Sequence, residues 1–122
     1  MDARLREGIE LFNQSKFFQC HEVWEDFYRE TEPENKAILE GLIGLAAAFR
    51  LFCDFGEVKG SVRLIYQALI RLENYQPAFL QIRVKDLCQA AEAWAKAAEK
   101  ADAKPRASSI PKINLQRFGF FS

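Results

Sequence analysis

The stretch AILEGLIGLAAAFRLF, residues 37–52, limits what this chain can fold into more than any other. Its large apolar residues, Ile38, Leu39, Leu42, Ile43, Leu45, Phe49, Leu51 and Phe52, spread around nearly the whole circumference of a helix. Such a helix needs neighbours on most sides, so it is expected to run from about Glu34 to Asp54 as the centre of a bundle. Gly41, Gly44 and Ala48 make a narrow face of small residues on it. Each glycine costs up to about 1 kcal/mol of helix propensity relative to alanine. Close approach of a neighbouring helix is the expected compensation, and a ligand groove is the alternative.

Apolar spacings of three and four recur through the rest of the chain, and no strand-like alternation of any length interrupts them. Leu5, Ile9 and Phe12 predict a first helix over Ala3 to Asn13. Ser15 is the expected N-cap of a second, from about Lys16 to Glu30, which the polar TEPEN cluster at residues 31–35 stops. Phe55-Gly56 predicts a glycine C-cap for the central helix. Val62, Ile65, Leu69 and Leu72 predict a fourth helix over about Val58 to Asn74, with Arg63 and Arg71 outside or at the rim. Leu87, Ala91, Trp94 and Ala98 predict a fifth over about Val84 to Lys100. PAFLQIRV, between the fourth and fifth, reads as a packed loop or a single helical turn. After Ala101 the pattern becomes irregular: IPKINL is expected to lie against the bundle, and RFGFFS carries three phenylalanines that need cover. The expected fold class is all-α, a compact bundle of about five helices with an irregular C-terminal tail packed on it. Residues 1–101 form the bundle and 102–122 an extended segment of the same domain.

Composition narrows the function classes. The chain has 122 residues, 49% hydrophobic and 28% charged, enough for one core that buries roughly two thirds of the unfolded surface. Its 17 acidic and 17 basic residues leave no net field to gather phosphates, and no basic cluster stands out, so nucleic acid is not an expected partner. Cys20, Cys53 and Cys88 lie far apart without metal-binding spacing and read as buried thiols of a reducing compartment. The amino-terminal MDARLREGIE lacks an apolar signal core, and the longest apolar run, Gly41 to Phe49, is about half the roughly 20 residues of a membrane span. A cytoplasmic protein with no membrane association is expected.

The candidate site is CHEVWEDFY, residues 20–28, which contains the single histidine. At about 100° per residue, the buried stripe of this helix is Phe17, Cys20, Val23, Trp24, Phe27 and Tyr28. His21 falls at its edge, followed around the helix by Glu25, Phe18 and Glu22. Residues at i and i+4 can touch, so His21 and Glu25 form a possible pair. Zinc enzymes of the HExxH type need a second histidine where Glu25 stands, and di-metal bundles need a glutamate where Phe18 stands. A metal would therefore require His21, Glu25 and a carboxylate from elsewhere, with Glu40 of the central helix best placed. Glu40 otherwise reaches solvent. His21, Glu22 and Glu25 are also the candidate catalytic residues for acid and base chemistry, although no nucleophile or oxyanion hole accompanies them. A histidine hydrogen-bonded at a helix interface, with Glu25 as its structural partner, is the leading reading of the cluster, and a recognition surface for a peptide or protein is the last. No cofactor motif is present, so no cofactor is expected.

The segments FNQSKFFQCHEVWEDFYRE, LEGLIGLAAAFRLF and GSVRLIYQALIRLENY together resemble the small helical family catalogued as domain of unknown function 309. Its pattern joins a phenylalanine-rich HE-x-x-E core to a Q-G-L-I-Q-x-A-A-A helix and a G-N-x-x-G-A stretch. The terminal Pro111, Ile113 and Leu115 resemble it too. The resemblance spans about residues 8–75 and implies a compact bundle of about five helices with no established activity. The polar positions that carry over are His21, Glu22 and Glu25, with Gly41 and Gly60 among the glycines. Glu40 and Gly44 stand where the family has glutamines, Glu57 stands for its asparagine, and a histidine common near the end of the central helix is missing around Arg50. The leading functional expectation is a recognition or scaffolding module with a structural His-Glu cluster. Its partner is another protein or a second copy, met through the phenylalanine-rich tail or the central helix face. A metal-assisted or acid-base hydrolase is the alternative. A tetratricopeptide-like binder lacks the required repeat.

Overall fold

The computed structural model describes residues 1–100 and 105–116. Five helices account for most of it: α1 (Ala3–Asn13), α2 (Phe17–Glu30), α3 (Lys36–Phe55), α4 (Val58–Leu72) and α5 (Val84–Lys100). Short 3-10 turns at Pro33–Asn35, Glu73–Tyr75 and Ala107–Ser109 link or follow them. Among the described residues there is no strand, and no helix is long and apolar enough to cross a membrane.

α3 is the hub, with Ile38, Leu39, Leu42, Leu45 and Phe49 fully buried. α2 and α4 flank it, α1 pairs with α2, and α5 packs on α4. An aromatic chain crosses these layers. Phe12 of α1 stacks on Trp24 of α2 and meets Phe49 of α3 edge-on, while Trp94 of α5 sits edge-on to both Phe49 and Phe52 at 5.1 and 5.0 Å. Edge-to-face geometry aligns ring quadrupoles and adds specificity to the burial of area.

The small residues of α3 serve close packing. A Cβ at Gly41 would come within 2.7 Å of Leu72 of α4, and one at Gly44 within 3.3 Å of Ala68. Gly56 ends α3 at φ 67°, the left-handed conformation that glycine adopts without steric cost, and the Glu57 N–H reaches back to the Leu51 carbonyl.

Three expectations need correction. Ser15 does not cap α2: at φ 60° it closes α1, with its N–H on the Phe12 carbonyl, while Lys16 precedes α2 without any side-chain cap. Cys53 is exposed near the end of α3, whereas Cys20 and Cys88 are buried. Val23 is only partly buried, and so are Tyr28, Ile43 and Leu51, the last three because α2 and α4 leave one strip of α3 uncovered.

PAFLQIRV forms a tight turn in which Phe79 and Ile82 exchange backbone hydrogen bonds at 3.1 and 2.9 Å, burying Ile82 completely. The later segment lies on the bundle as expected. Asn13 brackets Ile113, its Nδ2 donating to the Ile113 carbonyl at 2.9 Å and its Oδ1 accepting from the Ile113 N–H at 2.7 Å. Trp94 Nε1–H donates to Ser109 Oγ at 3.0 Å. The phenylalanines of RFGFFS lie outside the described residues.

Candidate functional site

The uncovered strip of α3 is the floor of a groove between α2 and α4. Ile43, Gly44 and Ala47 line a cavity of about 360 Å³ at one end, and Ala47 and Leu51 line one of about 270 Å³ at the other. Ala47 belongs to both, so the two lie side by side along α3. The span from Glu40 to Phe55 amounts to about 22 Å of helix.

His21 stands at the second cavity, beside Arg50, Phe55 and Leu64. Its Nε2 lies 3.7 Å from Glu25 Oε1, with the two side chains 34% and 38% exposed. That separation exceeds a hydrogen bond, so the attraction is ionic and present only when the imidazole is protonated. Glu25 itself lines the first cavity. Glu22 is exposed and touches no described residue by hydrogen bond or ion pair. The helix therefore brings His21 and Glu25 to one groove wall and turns Glu22 away.

Glu40 is not a partner of His21. Tyr28 Oη–H donates to its Oε1 at 2.7 Å, and Arg71 Nε–H donates to its Oε2 at 3.1 Å. Both oxygens are thus engaged, one from α2 and one from α4. The Tyr28 hydroxyl bond, followed by Arg71, holds the Glu40 carboxyl below the ordinary carboxylate range, and the same bond raises the Tyr28 phenol. Lys36 completes the corner, its ammonium 4.4 Å from the centre of the Tyr28 ring and donating to the Tyr28 carbonyl at 2.9 Å. The unit ties three helices together at one end of the groove.

The other end carries an unusual aromatic pair. Phe18 and Phe55 are 47% and 60% exposed, and the Arg50 guanidinium lies over both, 4.5 and 5.6 Å from the ring centres. Arg50 Nε is also 3.4 Å from Asp54 Oδ2. Cation-π attraction holds the guanidinium against both rings. Sequence reasoning missed this trio, although Arg50 one turn before Asp54, with Phe55 beside it, was a usable signal.

Among the described residues, no three His, Cys, Asp or Glu side chains converge as ligands for a metal. His21, Glu25 and Glu40 do not fit such a site as they stand, since Glu40 is saturated by Tyr28 and Arg71.

The model of the domain of unknown function family DUF309 matches residues 5–64, which hold α1, α2, α3 and the first half of α4. The chain resembles the DUF309 family. His21, Glu22, Glu25 and Glu40 fall within the DUF309-like span, as does the Phe18–Arg50–Phe55 trio, whereas Arg71 falls outside it. No curated protein and no solved structure matches the chain.

Proposed function

We propose that this protein is a scaffolding module that recognises a helical surface through the α2–α3–α4 groove, a second copy of the chain being the partner. The observation that carries the reading is the partly buried strip Ile43, Gly44, Ala47 and Leu51 on the central helix, flanked by the exposed Phe18 and Phe55. Small residues on the floor permit close approach, and aromatic and arginine side chains are the types that anchor protein interfaces. A two-fold arrangement would seat the exposed Phe18 and Phe55 of each copy over the small-residue floor of the other.

The test is a dilution series followed by backbone amide NMR. Amides of Ile43 to Leu51 and of Phe18 are expected to shift with concentration, and Phe55→Glu is expected to abolish the shifts without unfolding the chain. Spectra that stay identical over the series would remove self-association through this face.

The second reading, acid-base hydrolysis, draws support from His21 lining a cavity of about 270 Å³ with Glu25 at hand. A screen against ester and phosphoester substrates decides it, because activity that survives in His21→Gln cannot come from this site. Elemental analysis of the purified chain after metal loading tests the metal-assisted version, in which His21 and Glu25 would be joined by a Glu40 released from Tyr28 and Arg71.

A further inference from the structure

The cavity of about 270 Å³ at the His21 end of the groove is walled by three helices. Two of its lining groups can carry positive charge, His21 of α2 and Arg50 of α3, while Ala47, Leu51, Phe55 and Leu64 are apolar. The volume lies just below the ordinary span of small-ligand pockets, about 300–1,000 Å³, so an occupant has to be compact.

Arg50 is positioned by three neighbours yet keeps most of its donors. Its guanidinium lies over the Phe18 and Phe55 rings at 4.5 and 5.6 Å from their centres, contacts that use none of its N–H groups. Asp54 takes only Nε, at 3.4 Å, so neither Nη group has a hydrogen-bond partner among the described residues. His21 makes no side-chain hydrogen bond among them either, because Glu25 stands 3.7 Å away. A guanidinium fork fixed in place with its N–H groups unpaired suits bidentate binding of a carboxylate or phosphate, and the prior fixing lowers the ordering cost of binding. The charges around the pair choose between those two anions. Glu25 faces His21 and Asp54 sits beside Arg50, so a dianionic phosphate group would meet repulsion from both, whereas a carboxylate brings a single charge.

We infer that this end of the groove binds a small carboxylate carried on an apolar chain, with the carboxylate on Arg50 and His21 and the chain against Ala47, Leu51 and Leu64. The site lies in the groove proposed above as an interface, but it does not depend on self-association.

Hexanoate is the probe, with hexylamine as the same chain bearing the opposite charge and acetate as the headgroup without the chain. His21 is the single histidine, so its imidazole protons give unambiguous NMR signals to follow beside the amides of Ala47, Leu51 and Leu64. Millimolar hexanoate is expected to shift these signals saturably, and hexylamine to leave them in place. Acetate is expected to need roughly tenfold more for the same effect, since it buries fewer CH₂ groups. Arg50→Gln, with helicity checked by circular dichroism, is expected to weaken hexanoate by about tenfold or more, the worth of a hydrogen bond to a charged group. His21→Gln, followed at the amides, is expected to weaken it as well. Equal shifts by hexanoate and hexylamine, a response that never saturates, or unchanged affinity in both variants would overturn the inference. Sedimentation of the same samples separates it from the interface reading. Saturable hexanoate binding by a chain that stays monomeric supports this site and rejects the dimer, whereas a dimer that binds no hexanoate overturns this site and leaves the dimer standing.

Discussion

Single residues fix the geometry at two places that the pattern of apolar spacing does not reveal. Gly8 sits on the buried face of α1 because the Trp24 indole lies directly over it, and the indole N–H reaches the Leu5 carbonyl at 3.3 Å. A methyl there would overlap a ring that has no room to move. Gly8→Ala is expected to destabilise the fold by about 3 kcal/mol, measured by urea unfolding, despite the better helix propensity of alanine. Glu40 is the second place. Its position on α3 pointed to solvent or to His21, but its partners, Tyr28 and Arg71, come from helices whose facing cannot be read from α3 alone. A carboxyl with a depressed native pKa stabilises the fold above its unfolded pKa and loses that contribution as pH falls through the native value. Tyr28→Phe removes the chief cause of the depression. The variant is expected to be slightly less stable at neutral pH, the effect being small because the pair is solvent-screened, and the difference should fade below about pH 4 in denaturant titrations.

Helices were legible wherever the apolar period was long, and their ends less so. The bounds of α1 and α5 follow from their stripes, and Gly56 marks the end of α3 through its own chemistry. Ser15 misled because serine can serve a helix start, yet here its backbone completes the end of the preceding helix. The all-round apolarity of α3 correctly implied a central position. It could not show that five helices leave one strip open, since periodicity counts apolar residues and not the neighbours available to cover them. The two glycines facing α4 separate packing from propensity. Gly41→Ala pushes into Leu72 and is expected to cost about 1–3 kcal/mol, while Gly44→Ala meets Ala68 at 3.3 Å and should be near neutral once propensity is counted. Paired urea melts of the two variants provide the check.

The assembly of the whole molecule depends on contacts distant in sequence. The aromatic chain from Phe12 through Phe49 to Trp94 joins α1, α3 and α5, and each ring is an apolar residue at an expected core position. Both tryptophans serve as core anchors in this sense. The IPKINL segment was expected to lie against the bundle, but its tether was not legible. Asn13, expected only as the last residue of the first helix, proves to be the clamp for Ile113. Removing it strands two partly buried backbone groups, so Asn13→Ala is expected to cost about 1–3 kcal/mol in thermal unfolding. The candidate site shows the same division. His21 and Glu25 were placed together by their spacing alone, whereas the groove they border exists only because α2 and α4 stand apart over α3.

Sedimentation equilibrium tests the central claim, that this groove is an interface, most directly. The monomer mass is 14.0 kDa. The unmodified chain is predicted to rise toward twice that mass as concentration increases, and Phe55→Glu is predicted to remain at the monomer mass with unchanged helicity. A monomer mass for both proteins at every concentration, or equal association of the two, would contradict it.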